Sequence, residues 1–461
     1  MYQPNRTSRE KVETTEKLAR FIVETSYGEI PAKAITVAKE AMLDCLGVLL
    51  AGSTDPASKI MVSFLRSLGG EPHSSVIGWG FKTSVLNAAL ANGTMAHVLD
   101  YDDVSVGGHP TATILPALLA LGEKMNASGK EVIEAYILGF EVFARCCEAV
   151  GLGPRKLGFH PTPIMGVMGA AAVAAKLLKL DVEQTRMALG LAASNACGMG
   201  ENRGSMTKPF HAGNAARGGL IAAMLVSEGY TAAPNILEIP FGYIYAFSAA
   251  KGYNTNKMTG NLGSPFKVIS PGITIKKYPT CGETHQAIDA MLFLVKNHDI
   301  SPEGVASIEV DVNPMAVGTL AYKEPGNVLQ SKFSMNFVMA IALQERKVGL
   351  EQLDDEKINN PKTRELMKKV KMIGRKRETE AAGRVISSTV RVSLKNGKEY
   401  SHEVLNRLGT PANPLSKEEL RAKYTDCARL CLKKKAIERS LNLIENLEEL
   451  KDIGELVETI E

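Results

Sequence analysis

Side chains able to exchange protons occur close together near residue 100. His97 and Asp100 are three residues apart, so on a helix they would share one face. An acidic turn and two glycines follow, and His109 then stands directly before a proline, where we expect the next helix to begin. A helix N-terminus favours anions. We therefore interpret Asp100 and His109 as functional and His97 as a structural, hydrogen-bonded histidine.

Two later clusters place basic side chains in equally constrained backbone. His160 follows a Gly-Phe pair and precedes a proline that opens an apolar helix, which repeats the arrangement at His109. Lys208 stands between small residues and a proline, and Arg203 and His211 flank it. Solvated basic loops are seldom so rich in small and ring-constrained residues. We interpret His160 and Lys208 as site residues and Arg203 as a candidate substrate contact.

A fourth cluster spans residues 276–285 and contains a thiol and a histidine. Cys281 lacks an obvious neighbouring base motif, so we interpret it as a residue that lines a pocket rather than as a nucleophile. His285 falls in the first turn of an expected helix. For His285 a structural role and a catalytic role both stay open.

These residue types point to acid–base chemistry on a carboxylate substrate. Histidines titrate near neutral pH, and a lysine together with helix N-termini suits carboxylate binding. The combination fits dehydration, decarboxylation or epimerisation of a polycarboxylate, all of which move a proton at a carbon next to a carboxylate. Sequence motifs for a P-loop, a dinucleotide site, a zinc protease or a nucleophile elbow do not occur. We expect neither a cofactor nor a metal.

The elements that must position these residues change character near residue 270. Earlier segments carry apolar residues at helical spacing or almost continuously, which predicts buried helices. Later, residues 307–312 alternate, residues 369–373 offer a further strand, and Asn396-Gly397 between alternating runs predicts a hairpin. We expect a small antiparallel sheet there. The predicted organisation is an all-helical domain over 1–268, an α+β domain over 269–410, and C-terminal helices over 411–461 that return to the helical domain.

Composition excludes several classes of protein. The 461 residues carry 54 Lys+Arg against 50 Asp+Glu, a net charge of +4 that is too balanced for nucleic-acid or membrane-surface binding as the main activity. No apolar run approaches the roughly 20 residues that a membrane span needs. Seven cysteines in a chain of this length suit a reducing compartment, and the charged N-terminal stretch does not read as a signal peptide. We expect a soluble, cytoplasmic protein.

Six short segments extend this interpretation over nearly the whole chain: residues 43–47, 92–103, 158–160, 207–213, 277–285 and 332–334. In these residues, taken in order, the chain resembles the MmgE/PrpD family, which includes 2-methylcitrate dehydratases, cis-aconitate decarboxylases and iminodisuccinate epimerases. The resemblance implies a large all-helical domain, a smaller α+β lid domain, and an active site between the two. It also implies a homodimer and lyase chemistry without metal or cofactor.

The resemblance also implies roles for individual residues. His109 would be the general acid or base and Asp100 would orient it. His160 and Lys208, with Arg203, would bind substrate carboxylates, and His285 would enter from the lid side.

Three positions depart from the pattern of resembling decarboxylases at expected substrate contacts. Val104 stands where a threonine is usual, Phe337 stands where an aromatic hydroxyl is common, and members differ at Cys281. The leading hypothesis is therefore a 2-methylcitrate dehydratase-like hydro-lyase. Alternatives are a cis-aconitate decarboxylase-like or iminodisuccinate epimerase-like enzyme, a non-catalytic polycarboxylate-binding protein, or a helical scaffold for protein assembly.

Overall fold

Helices dominate the first part of the chain, as its apolar spacing predicts. The computed structural model describes residues 13–249, 255–375 and 387–461. The helices of the first part are α1 Thr14–Glu24, α2 Ala32–Gly52, α3 Pro56–Leu68, α4 Val85–Val98, α5 Thr111–Met125, α6 Gly129–Val150, α7 Gly153–Lys156, α8 Pro161–Leu177, α9 Val182–Ser194, α10 Thr207–Ser227, α11 Tyr243–Phe247 and α12 Thr255–Thr259. The expectation of a mainly helical fold is confirmed.

One small hairpin interrupts this helical part. Strands β1 (Ser74–Val76) and β2 (Phe81–Thr83) pair antiparallel, so the expectation of an all-helical domain needs this correction. Each strand has three residues, too few for the alternation of polar and apolar residues that marks a strand in a sequence.

The second part of the chain is an α+β unit followed by helices. Its helices are α13 His285–His298, α14 Pro314–Thr319, α15 Val328–Ser331, α16 Met335–Glu345, α17 Asp355–Asn359 and α18 Pro361–Lys368, its strands are β3 Val305–Val312, β4 Val370–Gly374, β5 Ser388–Leu394 and β6 Glu399–Val404, and the terminal helices are α19 Lys417–Ala428, α20 Lys434–Glu445 and α21 Gly454–Ile460. The sheet order is β4-β3-β5-β6.

This sheet is mixed, which corrects the expected antiparallel arrangement. β3 pairs antiparallel with β5, and β5 with β6, but β3 runs parallel to β4. The chain between β3 and β4 contains helices α14 to α18, and a long helical crossover is the connection that parallel neighbours require. The hairpin at Asn396-Gly397 is confirmed, with Gly397 at φ +84°.

Apolar side chains form two separate cores. The first contains residues from the helices before residue 249 together with Leu420, Ile444 and Ile460 from the terminal helices. The second contains residues between Tyr278 and Val392. The packing places α19 to α21 with the large helical unit. The boundaries at 268/269 and 410/411 stay predictions.

Two helices that matter for the functional residues cross with their main chains almost in contact. A Cβ built on Gly213 of α10 would lie 2.1 Å from the carbonyl oxygen of Leu90 in α4, and one built on Gly93 would lie 2.6 Å from the Cα of Gly213. His97 lies near the end of α4 and Lys208 near the start of α10. The glycines therefore set how close these two side chains come.

None of the helices in residues 13–249, 255–375 and 387–461 combines the length and apolar character needed to cross a bilayer.

Substituting Gly213→Ala should destabilise the protein by about 1–3 kcal/mol, because the new methyl group meets main-chain atoms that cannot move aside. The free energy of unfolding, or the midpoint of thermal unfolding, measures the effect. Gly28→Ala is the matched control, since a Cβ there meets nothing within 4 Å. Equal stability of the two variants would show that α4 and α10 tolerate a wider separation.

Candidate active site

A cavity of about 660 Å³ collects most of the side chains singled out in the sequence. Loops of the helical unit form one wall, and residues of the second unit, including Cys281 and Phe333, form another. A groove of equal volume lined by Leu43, Ile273 and Leu420 contains no histidine. The predicted site residues that line the first cavity are Asp100, Val104, His109, His160, Arg203, Lys208 and Cys281.

Asp100 lies in the turn that follows α4 rather than on the helix. α4 ends at Val98, and Asp100 has φ +51° in the left-handed region. The prediction that His97 and Asp100 share a helix face is therefore wrong. A left-handed residue other than glycine costs roughly 1–2 kcal/mol, and such residues persist where their surroundings fix them.

Two ammonium groups hold the Asp100 side chain in this position. Lys208 Nζ lies 2.6 Å from Oδ1, and Lys276 Nζ lies 3.2 Å from Oδ2. All three side chains are buried. Burial alone would raise the pKa of Asp100, but the two lysines outweigh it and hold that pKa well below its usual range. Asp100 is an anion at neutral pH, and it anchors the two cations beside the cavity.

A second buried carboxylate, Asp102, orients the candidate acid–base residue. His109 Nδ1 lies 3.0 Å from Asp102 Oδ2, and His97 Nδ1 lies 3.0 Å from the same oxygen. Donation from Nδ1–H to Asp102 leaves Nε2 as the reactive nitrogen of His109, 3.8 Å from Asp100 Oδ1. The sequence gives the acidic turn but not which of its carboxylates reaches His109, so this role of Asp102 was missed.

Burial and neighbouring charges set the protonation of His109. Desolvation lowers its pKa, Asp102 opposes that shift, and Lys276 adds to it. Burial also lowers the pKa of His97 to about 3. Both imidazoles are therefore neutral at pH 7 in the free protein. An anionic substrate in the cavity would raise the pKa of His109 and favour its acid form.

His160 has a different environment from His109. It caps the start of α8, and its Nδ1 lies 3.2 Å from Nδ1 of His211. Burial is the main cause that lowers its pKa well below the usual range, and Lys208 adds to this shift. His160 is a neutral hydrogen-bonding group at pH 7, and the partner found for it is another histidine rather than a carboxylate.

The second unit contributes one of its three predicted side chains to the cavity wall. Cys281 lines the wall, and burial raises the pKa of its thiol to about 11, so it is a protonated thiol at pH 7. His285 is buried behind the wall, with Nε2 3.3 Å from the carbonyl oxygen of Thr280. Phe337 is fully buried in the second core and does not line the cavity. Phe337 was expected at a substrate contact because the resemblance places an aromatic residue with a hydroxyl at this position.

Basic side chains outnumber acidic ones around the cavity. The basic residues that line it are Lys208, Lys276, Arg155, Arg203 and Arg407, and the acidic ones are Asp100, Glu201 and Glu283. A cavity with this balance attracts anions, and the concave wall strengthens the attraction. Lys276 belongs to the fourth cluster of the sequence, where only Cys281 and His285 were given a role, and Arg155 and Arg407 lie in segments without a functional motif.

Four donor groups of the site are close enough to surround a cation. Donor atoms of His97, Asp100, Asp102 and His109 lie within 4.8 Å of one another. However, two ammonium groups already neutralise Asp100, and both imidazole Nδ1 atoms are directed at Asp102. The set fits an acid–base cluster, and we assign no metal ligand.

Comparison with known protein families agrees with this arrangement. The MmgE/PrpD N-terminal domain model matches residues 16–256, and the MmgE/PrpD C-terminal domain model matches residues 278–449. The chain belongs to the MmgE/PrpD family. The predicted family and the predicted fold class are confirmed.

Curated relatives cover nearly the full length of the chain. A protein from Mus musculus named cis-aconitate decarboxylase is 27% identical, over 96% of this chain and 92% of its own. One of the same name from Aspergillus terreus is 26% identical, over 100% of this chain and 98% of its own. A cis-aconitate decarboxylase-like protein from Aspergillus oryzae is 25% identical, over 97% of each chain. These relatives confirm the prediction of a lyase.

Replacing Asp102 with Asn should lower turnover by roughly 100- to 10,000-fold, because the amide no longer fixes the His109 tautomer with Nε2 toward the cavity. The measurement is kcat for the substrate that the wild-type protein converts. Asp426→Asn is the matched control, since that side chain is 62% exposed on α19. Wild-type turnover in a folded Asp102→Asn variant would remove Asp102 from the mechanism.

Proposed function

We propose that this MmgE/PrpD protein decarboxylates a small unsaturated polycarboxylate such as cis-aconitate, without a cofactor. Support comes from the names of its curated relatives and from a cavity with more basic than acidic side chains. Lys208 and Lys276 would bind substrate carboxylates, and His109 would donate the proton. The proposal favours the decarboxylase alternative over the leading hypothesis of a 2-methylcitrate dehydratase.

The reaction needs one proton donor and stabilisation of negative charge. The carbon–carbon bond to the departing carboxylate breaks and releases carbon dioxide. Its electron pair moves through the alkene to the carbon next to another carboxylate. There the imidazolium form of His109, which the bound anion favours, gives its Nε2 proton to the new carbon–hydrogen bond and becomes neutral, and water later returns a proton to Nε2. Ammonium groups on the remaining carboxylate would stabilise the charge that develops before protonation.

A single observation carries the choice among the three reactions. Of the two histidines that line the cavity, only His109 is hydrogen-bonded to a carboxylate, whereas His160 faces His211. Dehydration pairs a base with an acid, and epimerisation needs a proton acceptor and a proton donor on opposite faces. One oriented histidine matches decarboxylation, which needs only the donor.

One of the three positions that depart from the pattern of resembling decarboxylases does not argue against this proposal. Phe337 does not touch the cavity, so the absence of an aromatic hydroxyl there removes no substrate contact. Val104 does line the cavity, and it is tied to Thr274 by two main-chain hydrogen bonds of 2.9 Å. The substrate side of Val104 is therefore apolar and fixed. The homodimer and the cytoplasmic location stay predictions.

Incubation of the purified protein with cis-aconitate should release carbon dioxide and give one new alkene by proton NMR. His109→Gln should lower the rate roughly 100- to 10,000-fold through loss of the proton donor. His73→Gln is the matched control, because His73 is exposed.

Parallel incubations with 2-methylcitrate, citrate and iminodisuccinate separate the rival activities. Water loss from 2-methylcitrate without carbon dioxide release from cis-aconitate would overturn the proposal in favour of the dehydratase. Deuterium uptake by iminodisuccinate alone would favour the epimerase. Binding without turnover of any compound would favour a polycarboxylate-binding protein.

A further inference from the structure

Three buried ammonium groups converge on the main chain around Asp100. Lys332 Nζ donates to the carbonyl oxygen of Val98 at 2.9 Å, and Lys276 Nζ donates to that of Asp100 at 2.6 Å. Lys423 Nζ donates to the carbonyl oxygen of Tyr101 at 2.9 Å. The last carbonyls of a helix lack partners within it and carry partial negative charge, so cations stabilise them. Lysines from three separate segments thus hold the turn after α4.

Lys423, unlike Lys276, does not line the cavity. It lies on α19, among the terminal helices, and its side chain is 6% exposed. Besides Tyr101, its ammonium donates to the carbonyl oxygen of Lys276 at 2.7 Å and pairs with Asp44 Oδ1 at 2.5 Å. Two N–H groups therefore donate to main-chain carbonyls, and Asp44 balances the charge of the ammonium. Its nitrogen also lies 3.8 Å from the centre of the Tyr101 ring.

We propose that Lys423 is a positioning residue of the active site, which fixes the main chain of Tyr101 and of Lys276 to one point. Tyr101 lies between Asp100 and Asp102, the two carboxylates of the cluster. One ammonium thus sets the place of the carboxylate that orients His109 and the place of a lysine that neutralises Asp100. The inference deepens the proposed function and rests on its assignment of His109.

The conformation of the turn supports this role. Asp100 has φ +51°, which a residue with a Cβ adopts at a cost in free energy, so other contacts must hold it there. Without the bond from Lys423, the next carbonyl of the turn loses its buried partner. The turn would relax, and the Asp102 carboxylate would move relative to the His109 ring.

Asp44 determines which variants are informative. It is fully buried, and burial raises its pKa to about 6 although Lys423 opposes that shift. Removing Lys423 alone would leave a buried carboxylate without its cation, which destabilises folding. The double variant Lys423→Met with Asp44→Asn removes both charges. Lys423→Arg is a second variant, which keeps a cation facing Asp44, but its larger and planar guanidinium cannot reproduce the contacts of the compact ammonium with both carbonyls.

The experiment compares the variants with the wild-type protein. It measures kcat and KM for cis-aconitate, and it measures the pKa of His109 by NMR of histidine-labelled full-length protein. Loss of alignment should lower kcat roughly 10- to 100-fold, with a smaller change in KM. The pKa of His109 should fall in both variants because Asp102, which raises it, no longer stays in contact. Lys417→Met on the same helix is the control, since that side chain is 68% exposed. The charged and titratable groups that face His109 in the wild-type protein are Asp100, Asp102, Lys208, Lys276 and the neighbouring ring of His97.

The outcomes separate this inference from the proposed function. A lowered pKa of His109 with a lowered kcat supports the positioning role. An unchanged pKa in a folded variant overturns it, even where activity falls. If the wild-type protein does not decarboxylate cis-aconitate, the proposed function fails, while the pKa of His109 still decides the role of Lys423.

Discussion

The neutralisation of Asp100 by two buried lysines is the interaction on which the site depends. An unpaired carboxylate at this depth would cost several kcal/mol, and Lys208 and Lys276 come from parts of the chain that meet only in the folded protein. Lys208 reaches Asp100 because α4 and α10 cross at glycines without side chains between them. Lys276 arrives on the segment that leads into the second unit. The acid–base cluster therefore forms only when α10 and the segment that carries Lys276 both pack correctly against the turn that contains Asp100.

The same cations connect stability to function. Asp100 holds two ammonium groups in place beside the cavity before substrate arrives, so binding requires little rearrangement. The charge of a bound carboxylate would then shift His109 toward the form that donates a proton. Asp102 fixes the orientation of the His109 ring, because it holds Nδ1 and leaves Nε2 free to face the substrate. Under the proposed function, binding and proton transfer would in this way be coupled through one imidazole ring.

Local signals in the sequence predicted the helices, the Asn396-Gly397 hairpin and six residues that line the cavity, because helical spacing and turn chemistry are local, and the family resemblance added Val104. They did not predict that Asp102 rather than Asp100 holds His109. Asp100 itself is left-handed, and this turns the chain at that residue. They also indicated no role for Lys276 and Lys423, because the partners of these lysines are more than 100 residues away in the sequence. The parallel pairing of β3 and β4 was not predicted either, because the helical crossover between the strands determines it and the sequence of each strand does not.

The proposed function requires that one oriented imidazole, that of His109, deliver the proton from one side of a fixed cavity. Its most direct test is the configuration of the deuterium introduced when the protein converts cis-aconitate in deuterium oxide. We expect one deuterium at the carbon next to the retained carboxylate, in a single configuration. A mixture of both configurations would mean that solvent, and not His109, protonates the intermediate.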